Sequence, residues 1–242
     1  MHLLEVDSVD VFYGQVQALR GVSLHVDAGE MVALIGANGA GKSTTLRTVS
    51  GLLAPRRGTI HFAGRPIHGL PAYEVVRHGV THLPEGRDLF PGLSVVENLR
   101  MGYWARRRER EGMAPAVDRA MDLFPRLRER ATQAAGTLSG GEQQMLGIAR
   151  ALMPSPKLVI VDELSLGLAP MIVEQLFDVL RAVNQDGAAV LLVEQFVHMA
   201  LANTDRAYVL GKGEVVTSGP SAALLEDPAL VESYLGSSTA PV

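Results

Sequence analysis

Short apolar runs separated by glycine-containing loops dominate the first third of the chain. Residues 3–12 and 22–26 are rich in β-forming side chains with partial alternation, which predicts two strands. Met31–Ile35 is a compact apolar run that stops at Gly36, and residues 42–52 then have helical character. Strand, glycine loop and helix in this order form half of a parallel α/β unit.

The middle third, from about residue 94 to 151, has a mostly helical pattern. Helices are predicted over residues 95–110 and 116–130, and a further helix begins at Gly140 and Gly141. A long helical stretch between two segments of α/β pattern indicates an insertion into an α/β core.

The last third returns to the α/β pattern. Residues 158–161 and 190–193 are short apolar runs of the kind that parallel sheets bury on both faces. Residues 171–183 are predicted to form the helix between them, and residues 207–217 a hairpin. Since no internal repeat is present, the pattern predicts one cassette.

Composition narrows the function classes. The 242 residues carry a formal net charge of −4, whereas a nucleic-acid binder would usually show a basic excess. The chain has no cysteine, which excludes disulfides and thiolate metal sites. No apolar run reaches the roughly 18 residues of a membrane span, and the acidic N-terminal residues do not fit a signal peptide. Any membrane process would therefore need another chain to cross the bilayer.

The segment after the strand Met31–Ile35 matches the pattern G-x-x-x-x-G-K-[ST] in full. Glycines let backbone N–H groups turn inward around phosphate oxygens, and the following helix directs its positive end at them. Lys42 can reach the β- and γ-phosphates, Ser43 can bind Mg²⁺ and Thr44 can add a phosphate contact. The predicted ATP-binding residues are Gly36, Ala37, Asn38, Gly39, Ala40, Gly41, Lys42, Ser43 and Thr44.

Two acidic residues, Asp162 and Glu163, follow the apolar run at 158–161. Ligands of open α/β sheets collect at the carboxyl ends of strands. Asp162 is therefore predicted to help hold Mg²⁺, and Glu163 to orient and polarise the attacking water. An acidic pair of this kind could also cap a helix, but the phosphate loop upstream favours the catalytic interpretation.

Residues 138–144 read LSGGEQQ, and together with the phosphate loop and the run LVIVDE they resemble the ATP-binding cassette family. The resemblance covers roughly residues 3–236. It implies that the signature residues Ser139, Gly140, Gly141 and Glu142 contact the γ-phosphate of ATP held by the opposite subunit. It also implies that Tyr13 stacks on the adenine.

The resemblance implies an α/β fold: a P-loop NTPase core with a parallel sheet, an antiparallel β subdomain and an inserted α-helical subdomain. The whole chain, residues 1–242, would form a single ABC ATPase domain. Residues 1–84 and 156–236 would form the ATP-binding core with its β subdomain. Residues 85–155 would form the helical signature subdomain, and 237–242 a flexible tail.

The chain departs from the commonest family pattern at four positions. Glu85 stands where glutamine is usual and could still approach Mg²⁺, and Gln195 replaces the switch histidine. Leu164 replaces a proline and Ala169 an aspartate. Because the phosphate loop, Asp162 and Glu163 remain, these changes do not indicate a silenced site. They resemble instead the LivF-type branch of ATPase subunits, which serve branched-chain amino acid importers.

That resemblance implies ATP hydrolysis with ATP and Mg²⁺ bound, coupled to import of leucine, isoleucine and valine. The expected partners are a second ATPase subunit in a head-to-tail dimer, two transmembrane permeases and, indirectly, an extracytoplasmic binding protein. The expected location is the cytoplasmic face of the inner membrane. Alternatives are the same role in a urea or short-chain amide importer, a poorly hydrolysing regulatory subunit, and a soluble cassette ATPase acting on ribosomes or DNA.

Overall fold

Two β-sheets form the frame of the protein in the computed structural model, which describes residues 2–86, 88–106, 112–194 and 196–227. The described strands are β1 (Leu4–Tyr13), β2 (Val16–Val26), β3 (Met31–Ile35), β4 (Arg57–Phe62), β5 (Arg65–Pro66), β6 (Val80–Leu83), β7 (Leu158–Asp162), β8 (Ala189–Val193), β9 (Arg206–Gly211) and β10 (Glu214–Pro220). The larger sheet has the order β10-β9-β3-β8-β7-β6, and the smaller one the order β2-β1-β4-β5.

The six-stranded sheet is parallel from β9 through β6, with β10 added antiparallel at one edge. All residues of β3, β7 and β8 are buried. Along β3, Val32 and Leu34 enter one hydrophobic core, while Met31, Ala33 and Ile35 enter the other. Burial on both faces explains why these strands read as continuous apolar runs. The predicted parallel sheet and the hairpin formed by β9 and β10 are confirmed.

The four-stranded sheet is antiparallel throughout. It packs over α1 (Lys42–Val49) and one face of the larger sheet, and their side chains form the second core, which includes Leu4, Leu19, Leu46 and Ile160. The predicted antiparallel β region is confirmed. Its β2 begins at Val16, earlier than the predicted residue 22.

Helices cover the other face of the large sheet and fill the interval between β6 and β7. The further helices are α2 (Ala72–His78), α3 (Val95–Gly102), α4 (Met113–Leu123), α5 (Pro125–Glu129), α6 (Gly140–Leu152), α7 (Pro170–Gln185), α8 (Val197–Ala202) and α9 (Ser221–Leu225). None of the helices in the described ranges is long and apolar enough to cross a membrane.

The predicted helix over residues 116–130 was wrong in one respect. It is two helices, α4 and α5, with a break at Phe124. Pro125 has no N–H and its ring would clash with the preceding turn, so α4 cannot continue through it. The predicted helix over 95–110 extends as α3 only to Gly102, and a 3₁₀ turn follows over Tyr103–Arg106. Residues 107–110 and 237–242 lie outside the described ranges.

Candidate functional site

The loop between β3 and α1 is closely fitted to its neighbours. A Cβ on Gly36, whose φ is +151°, would lie 2.2 Å from the carbonyl oxygen of Leu210. A Cβ on Gly41, whose φ is +108°, would lie 2.6 Å from Leu19 Cδ2. Only glycine avoids both the contact and the backbone strain, so the two outer glycines of the motif fix the course of the loop.

Lys42 is folded back under this loop. Its Nζ donates hydrogen bonds to the carbonyl oxygens of Gly36 at 2.8 Å and Ala37 at 3.2 Å. Burial lowers the pKa of the Lys42 ammonium, and the charges of Glu163 and Asp162 offset part of that effect. The cation is therefore desolvated beside acidic groups, and a phosphate would supply the negative charge that stabilises it.

The N-terminus of α1 lacks the usual capping groups. Gly41 at the N-cap offers no side-chain hydrogen bond, and the first turn contains no acidic residue. The first N–H groups of a helix have no partner within the helix, and its dipole favours an anion there. The donors and Lys42 together suit a phosphate, in agreement with the predicted role of residues Gly36 to Thr44.

The predicted metal residues Ser43 and Asp162 lie side by side. Ser43 Oγ donates to Asp162 Oδ1 at 3.2 Å, across the gap between α1 and the end of β7. Burial raises the pKa of Asp162, the Ser43 hydrogen bond lowers it, and the charge of Glu85 raises it further. A hydroxyl and a carboxylate are hard oxygen donors that fit Mg²⁺, which commonly takes the rest of its ligands from nucleotide phosphates and water.

Glu163 is half-buried and takes a left-handed backbone conformation, with φ of +53°. Its N–H donates to the carbonyl oxygen of Val193 at 3.0 Å, which ties it to the end of β8. Burial raises the pKa of Glu163, as do the charges of Glu85 and Asp162. The residue before a proline is driven toward extended backbone, so Leu164 leaves Glu163 free to adopt this conformation.

Glu85 is exposed and acts on this site through its charge, which raises the pKa of both Asp162 and Glu163. Glu85 is not part of a ready-made metal cluster. Within the described ranges, one group of three His or acidic side chains has ligand atoms within 4.8 Å of one another: His2, His25 and Asp27.

That group is a structural network. The two ring nitrogens of His25 already contact Arg206 Nη1 and the Tyr208 hydroxyl, at 3.1 Å for the latter, so no lone pair is free for a metal. His2 is bonded to Asp27 at 2.6 Å.

The signature residues lie at the start of α6. Ser139 forms a capping box with Glu142, in which Ser139 Oγ accepts from the Glu142 N–H at 3.3 Å and Glu142 Oε2 accepts from the Ser139 N–H at 2.9 Å. Ser139 and Gly140 are exposed, and a Cβ on Gly141 would lie 2.9 Å from Ile172 Cγ2.

Glu142 also binds Arg130, whose Nε lies 2.5 Å from Glu142 Oε1. Burial raises the pKa of Glu142, but the hydrogen bonds from Ser139 and Arg130 outweigh burial and leave the pKa lowered. No hydrogen bond between described residues joins residues 139–142 to the phosphate loop.

Tyr13 ends β1 and is 46% exposed, so a face of its ring is open for stacking.

The predicted switch residue Gln195 lies outside the described ranges. The sequence reasoning missed a buried pair beside it, Glu194 and Ser165. Glu194 directly follows an apolar strand, and that is the same signal that identified Asp162.

Comparisons with known proteins agree with this geometry. Residues 19–165 match the family model described as ABC transporter. The chain is 47% identical to the high-affinity branched-chain amino acid transport ATP-binding protein BraG of Pseudomonas aeruginosa, covering 97% of this chain and 100% of BraG. It is 35% identical to a probable branched-chain amino acid transport ATP-binding protein, LivF, of Archaeoglobus fulgidus, covering 93% and 94%. It is 34% identical to the lipopolysaccharide export system ATP-binding protein LptB of Acidithiobacillus ferridurans, covering 97% of each chain.

Solved structures give the same result. The ADP conformation of MJ1267, an ATP-binding cassette of an ABC transporter, has a TM-score of 0.84 at 27% identity, covering 96% of this chain and 98% of that one. A dimeric, post-hydrolysis state of the cassette MJ0796 bound to ADP and Pi has a TM-score of 0.81 at 25% identity, covering 90% and 98%. The expected P-loop ATPase fold is thereby confirmed. The chain belongs to the ABC transporter family, as one of its ATP-binding, ATP-hydrolysing subunits.

Proposed function

We propose that this chain hydrolyses ATP to energise an importer of the branched-chain amino acids leucine, isoleucine and valine. The observation that carries the proposal is the 47% identity to BraG over the whole length of that protein. The matched length spans 97% of this chain, and Lys42, Ser43, Asp162 and Glu163 of the site described above are all present in it. The cargo does not touch this subunit, because permeases and a binding protein select it.

ATP is proposed to bind along the N-terminus of α1. Its phosphates would replace the carbonyl oxygens of Gly36 and Ala37 as the partners of Lys42 Nζ. Residues Gly36 to Thr44 would surround the phosphates, and the exposed ring of Tyr13 would stack on the adenine. Ser43, Asp162 and Glu85 would hold Mg²⁺, which when bound neutralises charge on the β- and γ-phosphates.

Hydrolysis is proposed to use Glu163 as the group that orients the attacking water. The carboxylate accepts a hydrogen bond from the water and takes its proton as the water oxygen forms a bond to the γ-phosphorus. The bond between that phosphorus and the β,γ-bridging oxygen breaks, leaving ADP and phosphate. Gln195 would hydrogen-bond a γ-phosphate oxygen without titrating near neutral pH. The raised pKa of Glu163 keeps its proton affinity closer to that needed for proton transfer.

We infer that two ATPase subunits close head to tail around the nucleotide. The support is the exposure of Ser139 and Gly140 and the absence, among described residues, of hydrogen bonds from residues 139–142 to their own phosphate loop. Ser139, Gly140, Gly141 and Glu142 would then contact ATP held by the partner. The printed description of MJ0796 as a dimer bound to ADP and Pi is consistent with this arrangement. ATP favours the closed state, and its hydrolysis removes the bridging ligand.

A groove between α2 and the end of α3 is proposed as the permease-docking surface. Tyr73 and Trp104 are exposed by 60% and 64%, Met101 is also exposed, and the Arg77 guanidinium lies over the Tyr73 ring. An exposed apolar cluster of this size fits an amphipathic helix of a membrane subunit. Docking there would hold the chain at the cytoplasmic face of the inner membrane.

Residues 85–155 would move as the helical subdomain relative to 1–84 and 156–236, with the Glu85 loop as hinge.

A urea or short-chain amide importer is the second candidate, since close relatives of this branch are expected to serve those cargoes. LptB, at 34% identity, shares the family but is described as part of a lipopolysaccharide export system. The match to the family alone therefore does not fix the cargo, and the proposal depends on the higher identity to BraG.

Uptake in cells that lack this protein tests the proposal. Radiolabelled leucine, isoleucine, valine and urea are compared after restoring either the wild-type chain or Glu163→Gln. We expect leucine uptake to return with the wild type alone. Restored urea uptake with unchanged leucine uptake would move the protein to the sister importer. Equal rescue by Glu163→Gln would contradict the assigned role of this chain's catalytic acid.

A further inference from the structure

A buried carboxylate lies beside the catalytic segment and has no part in the chemistry proposed so far. Glu194 follows β8 and is 1% exposed, and Ser165 follows Glu163 by two residues and is 3% exposed. The Ser165 N–H donates to Glu194 Oε1 at 3.0 Å, and the Ser165 hydroxyl donates to Glu194 Oε2 at 2.6 Å. Both oxygens of one carboxylate are thus engaged by both donors of one residue.

This bidentate contact joins two strand ends that are already neighbours. Asp162 pairs with Val193 in the sheet, and the Glu163 N–H donates to the Val193 carbonyl oxygen at 3.0 Å. The contact between Glu194 and Ser165 adds a second link between the two segments, two residues beyond Glu163. Leu164, between the two links, is fully buried. The backbone of Glu163 is therefore fixed on both sides.

Such fixing is needed because Glu163 adopts φ of +53°, a conformation that a non-glycine residue keeps only when its surroundings enforce it. A carboxylate is an expensive group to bury, since it loses its hydration. An apolar side chain at position 194 would fill the space without that cost but could not bind the Ser165 N–H and hydroxyl. The two hydrogen bonds fix the orientation of Ser165 relative to Glu194, which a purely apolar contact would not do.

We propose that Glu194 is a positioning residue for ATP hydrolysis. Its contact with Ser165 holds the loop after β7 so that the Glu163 carboxylate faces the attacking water, and it ties that loop to the segment that continues into Gln195. The inference rests on the proposed role of Glu163. It assigns to Glu194 no contact with nucleotide, water or metal.

The test is ATP turnover of the complex purified by a tag on this full-length chain, measured for Glu194→Gln, Ser165→Ala and the double variant. Glutamine keeps the size of the side chain but places an NH₂ donor against one of the Ser165 donors. We expect kcat to fall about tenfold in each single variant, because small displacements of a catalytic group have large effects on rate. KM for ATP should stay within about twofold, since the phosphate loop is unchanged.

Three comparisons separate positioning from simple loss of stability. Ser221→Ala removes another buried serine hydroxyl, bonded to Thr204 Oγ1 at 2.8 Å. The Ser221 N–H donates to Asp205, which accepts from Met31 at the start of β3, whereas the phosphate loop follows the other end of that strand. We expect it to lower the melting temperature as Ser165→Ala does while leaving kcat unchanged. The double variant should lose no more than about threefold beyond either single variant, because the two side chains act as one contact. Ser165→Thr keeps the hydroxyl and should recover most of the lost kcat.

Unchanged kcat in folded Glu194→Gln and Ser165→Ala would overturn the inference, as would losses that multiply in the double variant. A rise in KM equal to the fall in kcat/KM would also overturn it, because it would indicate damage to nucleotide binding. Glu163→Gln in the same complex distinguishes failure of the positioning role of Glu194 from failure of the catalytic role of Glu163. Abolished turnover there with unaffected Glu194→Gln would reject only the positioning role, whereas normal turnover of Glu163→Gln would reject the proposed catalytic acid.

Discussion

The phosphate loop and the signature segment are both glycine-rich and both open a helix, yet their helix ends differ. The N-terminus of α1 has a glycine cap, no acidic residue in its first turn and Lys42 beneath the loop. The N-terminus of α6 is closed by Ser139 and Glu142, and Glu142 brings a negative charge. The first is ready to receive an anion alone, whereas the second already has its donors partly engaged.

This difference shows that a glycine-rich turn at a helix N-terminus can serve two roles. An open helix end with a buried cation can bind phosphate within one chain. A capped, exposed end such as that of α6 is a rigid surface that can complete a site held by another chain. Helix α3 shows that such a cap is first of all structural, because Ser94 and Glu97 form the same capping box and no ligand is proposed there.

The largest effect is expected where the comparison is most direct, at Lys42. Lys42→Ala removes the only cation beneath the loop among the described contacts and should lower ATP turnover by at least about 100-fold. Lys157→Ala, exposed at the opposite end of β7, is the matched control and should behave as wild type. Turnover within tenfold of wild type in Lys42→Ala would remove the phosphate loop from its assigned role.

The glycines of the two segments should also respond differently. Gly36→Ala would place Cβ 2.2 Å from a backbone oxygen and should lower the free energy of unfolding by about 3 kcal/mol. Gly141→Ala would place Cβ 2.9 Å from Ile172 Cγ2, a side-chain contact that has to shift, while alanine favours the helix, so a smaller loss of about 1 kcal/mol is expected. Chemical denaturation measures both. Equal losses would mean that the two loops are equally constrained.

Ser139→Ala separates capping from catalysis. Loss of the cap should cost about 1 kcal/mol of stability, and Ser94→Ala, with its matching capping box, should cost about the same. Turnover of the assembled complex should fall about tenfold in Ser139→Ala alone. Equal turnover in the two serine variants would contradict a role of Ser139 at the partner's ATP site.

The smallest expected effect is a shift in pH dependence caused by Glu85→Gln, which removes the charge but keeps an amide oxygen that can still approach Mg²⁺. The charge of Glu85 raises the pKa of Glu163 and Asp162, so its removal lowers both. Glu163 must be ionised to accept a hydrogen bond from water, and activity is lost as pH falls through its pKa. The acid limb of the pH–rate profile should therefore move to lower pH. Glu214→Gln, an exposed residue on β10, should leave it in place.

Local patterns predicted much of the fold and most of the candidate site. Met31–Ile35 is found as β3 with the predicted bounds, because strand and loop signals lie next to each other in sequence. The separation of α4 from α5 at Pro125 and the edge strand β6 were not predicted. Both α5 and β6 are short, and their apolar patterns are weak. The contacts of Glu194 with Ser165 and of Glu142 with Arg130 could not be read from sequence. They join residues 29 and 12 positions apart that only the folded strands and helices bring together.

Equilibrium ATP binding to the purified chain, with Lys42→Ala and Ser139→Ala side by side, tests the central claim most directly. The claim is that one chain binds ATP with its phosphate loop and offers its signature segment to another chain. We expect Kd to rise at least about tenfold in Lys42→Ala and to stay within about twofold of wild type in Ser139→Ala. An equal rise in both variants would mean that the two segments act on the same nucleotide within one chain, and the assignment of the signature segment to the partner's site would be wrong.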